Sequence, residues 1–81
     1  MKSKNENRSI SLELSEDEAI VLLEWLHNFN EKERPTLFQD QAEERILFDL
    51  EAELEKVISG TFADDYKSII TKARDRIRDR E

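Results

Sequence analysis

The chain contains no cysteine, which removes disulfides and thiolate zinc sites together. Its one histidine, His27, cannot by itself build an imidazole metal cluster. No HExxH spacing, glycine-rich phosphate loop or nucleophile elbow occurs, which argues against an enzyme. No apolar run approaches the roughly 20 residues that a membrane span needs. The opening stretch, residues 1–8, is polar and lacks the apolar core of a secretory signal. The expectation is a cytoplasmic protein that does not enter a membrane and carries no cofactor.

What is present is charge. The net charge is −7, unevenly spread. Residues 13–59 hold fourteen acids against the bases Lys32, Arg34, Arg45 and Lys56, while both flanking segments are weakly positive. An acidic middle repels phosphate backbones and favours basic partners. Eighty-one residues make one domain, which buries only about 60% of its unfolded surface. With disulfides and metal clusters set aside, self-association is the remaining source of stability. A homodimer is therefore expected.

Residues 1–8 read as a disordered arm and residues 9–80 as a single helical domain. Ser9 to Leu14 alternates strictly, placing Ile10, Leu12 and Leu14 on one face of a short strand. One strand cannot satisfy its own ladder. Either the segment lies extended against the helices, or it pairs with the same strand of a second copy across a two-fold axis. Ser15, followed three residues later by Glu18, forms a capping box. It starts a helix over about residues 16–30, in which Ala19, Leu22, Leu23, Leu26 and Phe29 share a face and Trp25 sits at its edge. Ile20 and Val21 fall outside that face, making the apolar arc wider than one buried stripe needs.

Pro35 interrupts the helical pattern. A second helix over about 39–59 carries Ala42, Ile46, Leu50, Leu54 and Val57 as its stripe, with Leu47 and Ile58 alongside and Gly60 just past its end. Asp64 is the expected N-cap of a third helix, about 65–79, striped by Tyr66, Ile69, Ile70, Ala73 and Ile77. The fold class expected is mostly α: three amphipathic helices in a small antiparallel bundle, preceded by one short N-terminal β-strand.

Several residues stand out. No neighbouring carboxylate reads as a ligand for His27 on its own face, so a half-buried or interface histidine is the plain reading. Glu43 projects onto the apolar stripe of the second helix and needs a donor or solvent; a metal-dependent or catalytic site would use His27 with carboxylates such as Glu43. Phe48 projects onto the polar side among carboxylates, where it can anchor a partner. The acids of the second helix point around it rather than converging. Arg74, Arg76, Arg78 and Arg80 form a small basic strip, but Asp75 and Asp79 offset it and no aromatic is interleaved for stacking.

The stretches Leu14-Ser15-Glu16-Asp17-Glu18-Ala19, Leu23-Glu24-Trp25-Leu26, Phe38-Gln39-Asp40-Gln41-Ala42-Glu43 and Asp49-Leu50-Glu51-Ala52-Glu53-Leu54-Glu55 resemble a group of small uncharacterised acidic helical bacterial proteins. The resemblance covers about residues 10–77 and implies a cytoplasmic bacterial setting, with no activity to carry over. The functional expectation is a non-catalytic interaction module that self-associates through Ile10, Leu12 and Leu14. It would meet a basic protein through Ile20, Trp25 and Phe48, rimmed by Glu24, Glu44 and Asp49. The alternatives are an antitoxin- or immunity-like inhibitor of a basic protein and a nucleic-acid-binding regulator acting through the C-terminal arginines.

Overall fold

The computed structural model describes residues 1–32, 37–58 and 65–80. The elements run β1 (Lys2–Glu6), β2 (Ser9–Glu13), α1 (Glu16–Asn30), α2 (Gln41–Ile58) and α3 (Tyr66–Arg78). This is the expected small bundle of three helices behind an N-terminal β element. The expected roles of Pro35, Gly60 and Asp64 lie outside the described residues. No described helix is long and apolar enough to cross a membrane.

Residues 1–8, expected as an arm without structure, instead contain β1, which pairs antiparallel with β2 in the register Ser3 to Leu12 and Asn5 to Ile10. The strand at 9–13 thus finds its ladder within the chain. A two-residue turn makes this possible: Asn7 and Arg8 both have positive φ, 50° and 70°, as a tight hairpin with right-handed strand twist requires. Asparagine tolerates that region, whereas arginine is strained there. All ten strand residues are exposed, and neither strand comes within 8 Å of a helix by Cα positions. The hairpin projects from the helices.

The start of α1 is the capping box expected for it. Ser15 Oγ accepts from the Glu18 amide at 3.1 Å, and Glu18 Oε1 accepts from the Ser15 amide at 2.8 Å. Asp40 opens α2 in a similar way, its Oδ1 accepting from the Ala42 amide at 2.8 Å, while Glu43 Oε1 accepts from the Gln39 amide at 2.8 Å.

The core is formed by Ala19, Ile20, Leu23 and Leu26 of α1, Leu54 and Ile58 of α2, and Ile70 and Ala73 of α3. Helix α1 is the middle element. Both α2 and α3 lie against it, and no described Cα of α2 comes within 8 Å of one in α3. This arrangement uses the wide apolar arc of α1, which must cover two neighbours. It also corrects the reading of Ile20 as a partner contact: at 2% exposure it belongs to the core.

Candidate functional site

Of the residues singled out for partner binding, Trp25, Phe48, Glu44 and Asp49 are exposed and Glu24 is half-buried. Trp25 stacks on Phe29 with ring centroids 4.8 Å apart, and Phe29 meets Phe38 edge-on at 6.0 Å. These rings form a short aromatic row beside the core. Phe48 lines a shallow depression with Gln41, Glu44, Arg45 and Asp49. Glu24 accepts from the Tyr66 hydroxyl at 3.1 Å, so it serves the α1–α3 joint rather than a partner rim. Burial, then the Glu24 carboxylate, push the Tyr66 hydroxyl up to about 12. Ile10 and Leu12 are exposed on one face of the hairpin, while Leu14 packs against the core.

Three of the four C-terminal arginines, Arg76, Arg78 and Arg80, are engaged with acids. Arg76 makes a two-pronged pair with Asp17 at 2.7 and 2.8 Å, and Arg80 meets Glu18 at 2.7 Å. Arg78 pairs with Asp75 within α3. Much of the basic strip therefore fastens α3 and the following turn to the acidic first turn of α1.

The largest departure from expectation is the rotation of α2. The stripe was expected to face inward, but Ile46 is 63% and Val57 76% exposed, and Leu50 is exposed between them. The inward line is instead Leu47, Glu51, Leu54 and Ile58, of which Leu54 and Ile58 are fully in the core. A polar contact accompanies its burial. Asn30 Nδ2 donates to Glu51 Oε1 at 2.8 Å and also approaches the Leu47 carbonyl at 3.4 Å. Among the described residues α2 packs its backbone against α1 alone, so it buries one edge of its apolar arc and leaves the other to solvent. Ala42, Ile46, Leu50 and Val57 form that outer ridge, about 22 Å long at a 1.5 Å rise per residue.

The same polar contacts organise a second feature at the α1–α2 seam. His27 Nδ1 lies 3.1 Å from Glu51 Oε2, and its Nε2 lies 3.0 Å from Glu31 Oε1. The Glu51 hydrogen bond and the surrounding carboxylates hold the His27 ring above its ordinary pKa. Asn30 above all, then His27, holds Glu51 below its own. Glu55, one turn on from Glu51, completes a group in which His27, Glu51 and Glu55 place one donor atom each within 4.8 Å of one another. The expectation that His27 lacks a carboxylate at ligand spacing is therefore corrected by Glu31, four residues on. The spacings of His27 to Glu31 and Glu51 to Glu55 are in the sequence, but nothing there tells that the two pairs face each other. Glu43, the carboxylate expected with His27, is used at the start of α2 instead.

No family model, curated protein or solved structure matches the chain.

Proposed function

We propose that this chain is a non-catalytic protein-interaction module that self-associates through the outer face of α2. The observation that carries the reading is the exposed ridge of Ala42, Ile46, Leu50 and Val57. Single exposed apolar residues are ordinary, whereas a row of them along one face, here interrupted by Glu53, is a recognition surface. A second copy suits this ridge. Two α2 helices packed antiparallel about a two-fold axis set Ile46 of one copy against Val57 of the other, the self-matching geometry of a homodimer. In the same arrangement Lys56 of one helix comes close to Asp49 of the other, so opposite charges flank the apolar seam in a chain whose net charge is −7. Phe48 and Glu44 lie on the far side of α2 from the ridge by helical position. Two copies then present acidic, aromatic-bearing surfaces for a basic protein partner.

Light scattering over a concentration series tests this reading. The expected mass is near twice 9.6 kDa, falling to one chain in Ile46→Glu and Leu50→Glu variants that keep full helical circular dichroism. Ile46 is the more exposed of the two, so Ile46→Glu leaves the core intact, and the circular dichroism of Leu50→Glu checks that it does the same. A monomer throughout the series, or a dimer indifferent to both substitutions, would overturn it.

A further inference from the structure

We propose that His27, Glu51 and Glu55 bind one divalent transition-metal ion of the zinc class, clamped across the seam between α1 and α2. The donors come from two facing elements. His27 Nδ1 and Glu51 Oε2 are 3.1 Å apart, and the three donor atoms lie within 4.8 Å of one another. Zinc holds nitrogen and oxygen ligands at about 2.0–2.2 Å, which separates tetrahedral donors by about 3.3–3.6 Å. The site therefore needs a shift of little more than an ångström to close on an ion.

The surroundings orient these ligands as metal sites require. Glu31 Oε1 sits 3.0 Å from the far ring nitrogen. A proton on Nε2 donated to Glu31 leaves the Nδ1 lone pair directed at Glu51. A carboxylate behind a ligating imidazole commonly fixes its tautomer in this way. Asn30 Nδ2 occupies Glu51 Oε1 at 2.8 Å, turning Oε2 toward the ring. Glu51 is itself 13% exposed, so this carboxylate is held largely out of water.

Charge balance supplies the reason for a cation. Glu31, Glu51 and Glu55 surround a single imidazole, and Glu24 adds its field to the same ring. The Glu51 and Glu55 carboxyls each place an oxygen within 4.8 Å of the other. Two carboxylates that close repel, and a cation between them relieves the repulsion. A divalent ion held by these donors offsets the carboxylate charge gathered at the seam. The imidazole donor selects zinc, cobalt or nickel over magnesium and calcium, which take oxygen ligands. Three protein ligands leave a fourth position for water.

The test is calorimetric titration of the full chain with zinc chloride near neutral pH, repeated with cobalt(II) followed by visible absorption. One ion per chain with micromolar affinity is expected, with the intense cobalt bands of a low-coordinate site. His27→Gln and Glu51→Gln should each weaken binding about tenfold or more, and Glu31→Gln by a smaller factor. Glu55→Gln removes a ligand at an exposed position and keeps the test valid if the Glu51 variant folds poorly. Glu13→Gln, on the exposed hairpin and remote from the ring, should bind as the parent does. Absence of binding, one ion per two chains, a His27→Gln variant that binds normally, or displacement of zinc by equimolar magnesium would each overturn the proposal.

Discussion

Arg80 Nη2 lies 2.7 Å from Glu18 Oε2 across 62 residues of chain. The same oxygen is 3.3 Å from the Met1 ammonium, while the other oxygen of Glu18 accepts from the Ser15 amide. A carboxylate that begins as half of a capping box thus also ties the turn after α3 to the first turn of α1. The Ser15 amide first, then Arg80, hold the Glu18 carboxyl down to about 2, from an ordinary 4.5.

A depressed carboxyl contributes stability above its unfolded pKa and loses it as acid protonates the folded state. The melting temperature should therefore decline as pH falls from about 4.5 toward 2. Glu18→Gln should melt lower at neutral pH and show a flatter profile across that window. Parallel profiles for the two proteins would assign the acid sensitivity to other groups. Circular dichroism melts in a buffer series make the comparison.

The single tyrosine gives a clean alkaline probe. Tyr66 ionises at about 12 in the folded chain against about 10 when free. The neutral form is the one favoured by folding, so this contribution is complete below about 10 and is lost as pH rises toward 12. Tyrosinate absorbance should lag free tyrosine until the chain unfolds. Tyr66→Phe should remove the hydroxyl contact with Glu24 at a cost of about 0.5–1.5 kcal/mol, read from urea unfolding.

Leu26 is completely buried between its neighbours. Leu26→Ala should cost about 2–5 kcal/mol, a large share of the roughly 5–15 kcal/mol that folded domains possess. Val57→Ala, on the exposed ridge, should change the folding of the isolated monomer by less than about 0.5 kcal/mol. Chemical denaturation of both variants at low concentration separates the two sides of α2 and α1.

Arg8 occupies a turn position that suits glycine. Arg8→Gly should stabilise the hairpin by about 1 kcal/mol, seen as sharper cross-strand contacts and slower amide exchange for Ser3, Asn5, Ile10 and Leu12. Helix stability should change little, since the hairpin meets the helices at its base, where the Met1 ammonium pairs with Glu18. Faster exchange in the variant would mean that the Arg8 side chain holds the turn.

The helices were readable because their signals are local. Ser15 and Glu18 are three residues apart, and the stripe of α3 repeats within a turn. The rotation of α2 was not readable, because Leu47, Leu54 and Ile58 offer an equally apolar edge and the Asn30–Glu51 contact that accompanies its burial spans 21 residues. Ile20 was misread for a related reason: a residue off the main face becomes core when its helix is the middle one of three. Strand β1 was missed because Lys-Ser-Lys-Asn-Glu carries no alternating apolar residues. Its pairing comes from the Asn7–Arg8 turn and the register that turn imposes. The seam around His27 joins two helices, and a single sequence does not state which helical faces meet.

Because α2 and α3 each pack on α1, with no described Cα of one within 8 Å of the other, the fold has two joints sharing one spine. Disturbing either joint need not open the other. Native-state hydrogen exchange should then resolve two opening units, one releasing α2 through the His27–Glu51 seam and one releasing α3 through the contacts of Arg76 and Arg80. An ion or a second copy that grips α2 would slow exchange in the first unit and leave the second at its own pace, making the molecule a pair of separately adjustable latches.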